Sequence, residues 1–385
     1  MTTHFSAQIP LSPDSLDIVT YLNQPLSGRK PVGYQRDFLD SYQPNITYYL
    51  NASLRRQLHY MGQTGSEQRP AGTHGRAILN RLLIDLSWAS SHLEGNTYSR
   101  LDTRDLIDLG KVAQGKALSE TQMILNHKAA IELLVDNAEA VGFNRYTLLN
   151  LHSALSENLL PNPADEGRLR QHIVEISHSV YRPIDVPPHI AVQFDLILEK
   201  AAAIHDPIEQ AFFIMVHLPY LQPFADVNKR TSRLAANLPL LQHNLCPLTF
   251  LDVPEDAYST AILGVYELTR VELLRDVFVW AYERSTQEYM AIKQNLVEPD
   301  PLRLRYRDVI RALVQSVIQH PEQDAVERIQ LIVRQQVEST DQESVMALVM
   351  DELRRLHEGV LARYRLRPSE WERWKAQQPH FKRPE

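Results

Sequence analysis

An apolar and aromatic run at residues 208–220, followed by a dense polar segment, constrains this chain more than any other feature. The run is apolar enough to form a helix that is buried on every side. Pro219 and Pro223 should end this helix, because proline lacks the backbone N–H and biases the preceding residue away from helical geometry. A loop beginning near Gln222 must therefore lead into the polar residues 226–233.

The segment after this run predicts a binding site for a phosphate group. Asp226 or Asn228 can cap the next helix, whose free N–H groups and positive dipole end would face an anion in the loop. Arg230 and Arg233 are three residues apart, so they share a helix face and can converge on one polyphosphate. Phe224 should anchor the loop by apolar burial. Taken singly, these residues also fit ordinary caps and solvated arginines, but their combination favours the anion site.

These residues resemble the signature of the Fic (Fic/DOC) family, which reads His-x-Phe-x-Asp/Glu-Gly-Asn-Gly/Lys-Arg-x-x-Arg. The positions in register with it are Phe224, Asp226, Asn228, Lys229, Arg230 and Arg233. Two positions depart from it, since Gln222 stands where the family has its His and Val227 where it has its first Gly. The resemblance implies an all-α fold, in which a helical core carries a small β-hairpin flap.

Fic proteins mostly transfer AMP from ATP to a hydroxyl group of a protein. The resemblance therefore implies protein AMPylation, with ATP or a related nucleotide as ligand and an unknown protein as target. It implies that Asp226 holds Mg²⁺, that Asn228 and the following amides hold the α-phosphate, and that the two arginines hold the outer phosphates. The nucleotide-binding residues implied in this way are Asn228, Lys229, Arg230 and Arg233.

The two departures bear on catalysis. Gln222 occupies the catalytic position but cannot act as a base, and loss of a positioned base lowers a rate by about 10²–10⁴. Electrostatic positioning by the metal ion, amides and arginines would survive this loss. Val227 narrows the approach to phosphate, since it is β-branched at a glycine position. His217 is a candidate substitute base, although its place on an apolar helix face favours a core role.

Three interpretations remain open at this point. The chain is a slow or differently based nucleotidyl transferase, a nucleotide-dependent binding module that no longer turns over, or a protein of this fold with changed chemistry. A transferase of altered activity is the interpretation we carry forward.

A second motif follows a helix predicted from residue 78 to about 89. Ser90, Glu94 and Gly95 resemble the Ser/Thr-x-x-x-Glu-Gly/Asn motif of Fic proteins that carry their own inhibitory helix. The resemblance implies that Glu94 pairs with Arg233 and takes the place of the γ-phosphate. A carboxylate at a helix C-terminus is unfavourable unless it is compensated, and Gly95 suits the left-handed position beyond a helix end. The alternative is an exposed glutamate at the end of the helix.

Residues 173–181 form the only long alternating stretch with high β propensity. The resemblance places a target-docking flap here, with Val174, Glu175 and Ile176 on it, because an unpaired strand edge can pair with an extended peptide. The alternative is a small structural hairpin. Farther upstream, Asn126-His127-Lys128 is interpreted as helix packing and surface.

The sequence predicts three regions: an irregular N-terminal arm at 1–77, a Fic-type core at 78–290 that includes the inhibitory helix, and helices at 302–385 beyond a linker near 298–301. The last region ends in basic and aromatic residues, which favours a protein partner or self-association. Its interspersed acidic residues and the net charge of −7 argue against nucleic-acid binding.

Composition narrows the class of protein. Hydrophobic residues make up 44% and charged residues 23% of the chain, which is ordinary for a soluble globular protein. No apolar run approaches the roughly 20 residues that span a bilayer. The first residues lack the pattern of a secretory signal, so a cytoplasmic location without a membrane anchor is expected. The single cysteine, Cys246, excludes an intramolecular disulfide and is expected to be buried.

Overall fold

The computed structural model describes residues 8–293 and 300–377. The chain divides into two compact units, Met1–Lys293 and Gln294–Glu385, and each has its own hydrophobic core. Of the linker predicted near 298–301, residues 298 and 299 lie outside the described residues, and Pro301 already begins a helix.

The N-terminal arm is more regular than its proline content predicts. Its helices are α1 (Pro13–Leu22), α2 (Arg36–Asp40), α3 (Ala52–Gly62) and α4 (Thr73–Ala77). Ile18, Leu39 and Leu58 are fully buried in the core of the first unit. Short helices form here because each can bury one apolar stripe against the longer helices.

Five helices lead from the arm towards the central helix, and the first of them follows the helix predicted from residue 78 within a few residues. They are α5 (Leu79–His92), α6 (Arg100–Leu109), α7 (Leu118–Asp136), α8 (Arg145–Ser156) and α9 (Pro187–Ala203). Side-chain caps fix two of the starts, since Ser99 accepts from the Asp102 amide and Asn144 from the Thr147 amide.

The predicted apolar run forms the central helix, α10 (Pro207–Leu221), in which nearly every side chain is buried. Pro219 does not end it as predicted but lies inside the last turn. The missing N–H of this proline removes only one helical hydrogen bond, and burial of Tyr220 and Leu221 holds the turn in place. The helix ends where Gln222 adopts a left-handed conformation, with φ of 51°.

Four helices complete the first unit. They are α11 (Asn228–Ala235), α12 (Asn237–Gln242), α13 (Glu255–Leu268) and α14 (Glu272–Lys293). Helix α10 packs against α9, α11, α12 and α13, so the loop between α10 and α11 is held from several sides.

Among the described residues the only strands are β1 (Val32–Gly33) and β2 (Tyr181–Arg182), so the all-α class is confirmed. They pair in parallel, with Val32 opposite Tyr181. The predicted flap is a small hairpin-shaped loop that reverses at Ser177 and His178. Residues 173–176 are not in a strand, because the segment after the turn pairs with the N-terminal arm instead.

The second unit is helical throughout its described part. It contains α15 (Pro301–Arg305), α16 (Arg307–Gln319), α17 (Ala325–Gln336), α18 (Gln342–Arg354) and α19 (Pro368–Gln377). Leu313, Val333 and Val349 are fully buried in its core. Helices were predicted for residues 302–385, and the described part of this range contains them.

Within the described residues, no helix is both long and apolar enough to span a bilayer. Cys246 is a buried free thiol, as expected, and burial raises its pKa.

Candidate anion-binding site

The loop between α10 and α11 turns on two left-handed residues, Gln222 and Val227, with φ of 51° and 65°. The Asn228 carboxamide closes it from within, since its Oδ1 accepts from the Phe224 amide at 2.9 Å and its Nδ2 donates to the Phe224 carbonyl at 3.0 Å. Val227 occupies the cap position of α11 and the helix has no side-chain cap, so the predicted capping by Asp226 or Asn228 is wrong. The Asp226 carboxylate instead accepts from the Val227 amide at 2.6 Å.

The start of α11 presents uncompensated positive groups. Among the described residues, the backbone amides of Asn228, Lys229 and Arg230 donate to no protein acceptor. The Arg230 side chain is buried, and its Nη1 has no hydrogen-bond partner. Burial lowers the pKa of this guanidinium, and the nearby carboxylates of Glu94 and Asp226 oppose that effect only in part. A buried arginine and free amides at a helix N-terminus are groups that commonly bind anions in proteins.

Arg233 is fully buried and fixed by the end of α5. Its Nε donates to Ser90 Oγ at 3.0 Å, and its Nη2 donates to the Ser90 carbonyl at 2.9 Å. Nη2 also donates to Glu94 Oε1 at 2.7 Å. The contact between Glu94 and Arg233 implied by the resemblance is therefore present.

Glu94 serves two cations at once. Its second oxygen lies 2.9 Å from Lys229 Nζ, and its side chain is only 16% exposed. Burial alone would raise the pKa of Glu94, but the charges of Arg233, Lys229 and Arg230 outweigh burial and hold it at about 2. Gly95 follows with φ of 82°, in the predicted left-handed position. The interpretation of Glu94 as an exposed helix-end residue is wrong, because α11 supplies its partners.

The Gln222 carboxamide is held in place by three hydrogen bonds. Its Nε2 donates to the Tyr266 hydroxyl at 3.0 Å and to the Pro219 carbonyl at 2.8 Å. Its Oε1 accepts from Asn228 Nδ2 at 2.9 Å. The catalytic position of the signature thus carries a neutral amide that ties the loop to α10 and α13.

Two residues that sequence reasoning missed hold this loop. Arg170 is buried and donates to the carbonyls of Gln222, His172 and Ile184, the first at 2.6 Å. Burial lowers its pKa. This arginine therefore ties the signature loop to the flap. The sequence indicated Arg170 only by its position close to the predicted flap.

His152 of α8 supports the loop from the other side. Its ring stacks on Phe224 with 3.9 Å between the centroids. Its Nδ1 accepts from the Gly167 amide at 3.0 Å, so Nε2–H donates to the Asp226 carbonyl at 3.2 Å. Burial lowers its pKa to about 4, which keeps the ring neutral. No local sequence pattern identifies this residue.

His217 is a core residue, which confirms the interpretation favoured for it. Its Nε2 lies 2.7 Å from the Tyr49 hydroxyl, and its ring packs on Phe38 and Phe213. Burial lowers its pKa to about 3. It is therefore unsuited to replace the missing base.

The flap is anchored at its turn and open along its edge. Arg29 donates to the His178 carbonyl at 3.1 Å, and Glu267 accepts from the Ser179 hydroxyl at 2.8 Å. Within the described part of the chain, the backbone groups of Val174 and Glu175 make no hydrogen bond. Ile176 accepts one, from the Ser179 amide across the turn.

The metal prediction can be tested against the donor groups present. Asp226 is exposed beside the free amides of α11. In the described residues, no group of three or more His, Cys, Asp or Glu side chains could hold a metal ion. Mg²⁺ is commonly held by one or two carboxylates together with substrate phosphates. Asp226 therefore fits a metal ion that arrives with a nucleotide.

Comparison with known proteins agrees with the signature. The sequence profile of the Fic/DOC family matches residues 142–240. The chain is 28% identical over 205 residues to Protein adenylyltransferase fic-1 of Caenorhabditis elegans, which covers 51% of this chain and 39% of that protein. It is 27% identical over 164 residues to Protein adenylyltransferase Fic of Nematostella vectensis, which covers 41% and 38%. The chain thus matches well under half the length of these relatives.

Solved structures share the fold. A fragment of Fic-1 from C. elegans superposes with a TM-score of 0.51 at 22% identity and covers 62% of this chain and 71% of that one. A Fic family protein from Desulfovibrio desulfuricans superposes with a TM-score of 0.53 at 16% identity and covers 84% and 89%.

Proposed function

We propose that this chain, whose residues 142–240 match the Fic/DOC family model, binds ATP or a related nucleotide with Mg²⁺ and transfers the nucleotidyl group to protein hydroxyls. The curated relatives are named as protein adenylyltransferases, which supports AMP as the group transferred. We further propose that the chemistry is impaired or altered, because Gln222 replaces the catalytic His.

The observation that carries the proposal is the buried Arg230 beside three free amides. A buried guanidinium nitrogen without a hydrogen-bond partner, here Arg230 Nη1, is costly, and a phosphate group would satisfy it together with the helix start. Lys229 and Arg233 lie on the same helix, so they extend the cationic surface towards Glu94. A chain of several phosphates fits this line of cations better than a single anion does.

The remaining site residues have consistent roles. Asn228 holds the loop in the shape that exposes the amides, and Asp226 would hold the metal ion. Bound Mg²⁺ would neutralise phosphate charge. Glu94 occupies Arg233 and Lys229, so the described conformation is a self-inhibited one in which the outer phosphates lack their cations. The flap edge at Val174, Glu175 and Ile176 would align an extended target segment by main-chain pairing.

One observation favours a second function. The Gln222 carboxamide uses both of its ends in hydrogen bonds within the protein, so it offers no base for the target hydroxyl. A nucleotide-dependent binding module needs only the phosphate site. Both functions share nucleotide binding and differ in turnover.

Isothermal calorimetry with ATP, with and without Mg²⁺, tests nucleotide binding. Arg230→Ala should weaken binding about 10- to 150-fold, since a charge-assisted contact contributes about 1.5–3 kcal/mol. Arg284→Ala is the matched control, because Arg284 pairs with Asp252 elsewhere on the first unit. Equal affinities for wild type and Arg230→Ala would contradict the phosphate assignment.

Incubation of the protein with α-labelled ATP and cell extract separates the two functions. Label that enters protein and disappears in Asp226→Ala identifies a transferase. Nucleotide binding without any labelling, including of the chain itself, identifies a binding module.

A further inference from the structure

We propose that His127 of α7 is a positioning residue for self-inhibition, because it orients the Ser90 hydroxyl that holds Arg233 for Glu94. This inference rests on the proposed nucleotide site. It extends the control of that site to a third helix, which the inhibitory motif does not include.

The contacts form an unbroken chain from α7 to α11. His127 Nδ1 lies 2.9 Å from the Met123 carbonyl, and His127 Nε2 lies 2.9 Å from Ser90 Oγ. Ser90 Oγ in turn accepts from Arg233 Nε at 3.0 Å. The side chains of His127, Ser90 and Arg233 are buried, so water cannot readily replace a hydrogen-bond partner that one of them loses.

The hydrogen atoms can be assigned from the acceptors. The Met123 carbonyl can only accept, so His127 Nδ1 carries a proton, and Ser91 Oγ, 3.2 Å from Nδ1, is a second acceptor for it. Burial lowers the pKa of His127 to about 3, and the neighbouring Arg230 adds to this effect, so the ring is neutral and Nε2 is an acceptor. Ser90 O–H therefore donates to His127 Nε2, which turns the lone pairs of Ser90 Oγ towards Arg233 Nε.

This orientation matters for the competition between Glu94 and a phosphate. Arg233 is held by three contacts from the end of α5, two of them to Ser90 and one to Glu94. Without His127, the Ser90 hydroxyl is free to rotate, and one lone pair no longer faces Arg233 consistently. The inhibitory arrangement then loses stability, and the arginine becomes easier to transfer to a nucleotide.

The test measures ATP affinity and thermal stability of the full chain for His127→Leu. We expect affinity for ATP to rise about two- to tenfold, the range for losing one hydrogen bond from the competing arrangement. His127→Gln should fall nearer to wild type, since a glutamine oxygen can accept from Ser90. Unchanged ATP affinity in His127→Leu would overturn the proposal.

His217→Leu is the matched control. His217 is an equally buried histidine with one strong hydrogen bond, to Tyr49, but it touches neither Ser90 nor Arg233. Both leucine variants should lower the melting temperature, and only His127→Leu should tighten ATP binding. Equal tightening in both variants would show a general loosening of the core and would also overturn the proposal.

The Glu94→Gly background separates this proposal from the one on which it rests. If Glu94→Gly tightens ATP binding, His127→Leu should add little to it, because the arrangement that His127 supports is already broken. If the two effects add in full, His127 acts by another route and the proposal fails. If Glu94→Gly itself leaves ATP binding unchanged, the self-inhibited nucleotide site is wrong, whatever His127 does.

Discussion

At the scale of single residues, Val227 is the most unusual feature of the site. It is a β-branched residue with φ of 65°, and the residue is 2% exposed. An L-residue in this region costs roughly 1–2 kcal/mol relative to helical geometry, and a β-branched one is a clear outlier. The site therefore stores backbone strain at the residue that precedes the free amides.

At position 227, a glycine variant should be more stable than an alanine variant, which is the reverse of the usual order. Both substitutions lose the buried methyl groups, but only Val227→Gly relieves the left-handed strain. We expect Val227→Ala to be about 1 kcal/mol less stable than Val227→Gly, measured by urea unfolding. Alanine more stable than glycine at this position would show that the left-handed conformation is not retained in solution. Val227→Gly should also bind ATP more tightly, since the approach to the amides widens.

The missing base gives a second prediction at this scale. The double variant Gln222→His, Glu94→Gly should create or raise protein AMPylation, because it restores a base and frees Arg233. Asp226→Ala in this background should abolish it, because the variant lacks the carboxylate proposed to hold the metal ion. Labelled ATP is the measurement. A repaired variant that binds ATP and labels nothing supports the binding module, and robust labelling by the unchanged chain would show that Gln222 belongs to a different mechanism.

The sequence identified the residues of the loop but not what holds them. The spacing of Asp226, Asn228 and Arg230 was enough to identify them, because residues at the start of a helix have fixed positions relative to one another. Arg170 and His152 lie far from the signature in sequence, and their contacts depend on how α8 and the flap pack against it. The predicted capping role of Asn228 was wrong, because its side-chain carboxamide accepts a hydrogen bond from the Phe224 amide in the preceding loop instead of from the amides of α11.

At the scale of elements, the end of α5 and the start of α11 form one electrostatic unit around Glu94. The folded-state pKa of Glu94 is about 2, against an ordinary value of 4.5. A carboxylate with a lowered pKa contributes stability that is fully present above its unfolded-state pKa. That contribution disappears as pH falls towards the folded-state value.

Glu94→Gln should therefore change how stability depends on pH. Above pH 4.5, we expect the unfolding free energy of the wild type to exceed that of the variant by at most about 3 kcal/mol. The difference should shrink steadily towards pH 2. Urea unfolding at several pH values measures it. A difference that stays constant with pH would mean that Glu94 is not ionised beside Arg233.

The helices predicted at residues 78–89 and 208–220 are present, because each carries a continuous set of apolar residues, whereas the helices of the N-terminal arm and the two strands were not predicted. Tyr181–Arg182 pairs with Val32–Gly33, a segment far away in sequence, and two residues per strand leave no periodic pattern to detect. Residues 173–180 alternate between apolar and polar side chains as a strand does, but in the described structure they do not form one. An alternating sequence predicts a strand only where a neighbouring strand completes its hydrogen bonds.

At the scale of the whole molecule, the chain contains two units with separate cores. The first unit buries the central helix α10 and includes every residue of the proposed nucleotide site. The second unit has a smaller core built on α16, α17 and α18. We expect the two units to differ in stability, because the fraction of surface that is buried on folding rises with domain size.

A chain that ends at Lys293 should therefore keep the nucleotide site. We expect it to bind ATP within about twofold of the full chain, since all residues proposed to bind phosphate and their buried supports lie in the first unit. Residues 300–377 alone should be helical, and they should melt at a lower temperature than the first unit, because a core of this size supplies only about 3–5 kcal/mol. Calorimetry measures the affinity, and circular dichroism with thermal melting measures the folding of each part. If the shortened chain aggregates or loses ATP binding while Arg230→Ala in the full chain behaves as predicted, the nucleotide site is real but the two cores do not fold independently.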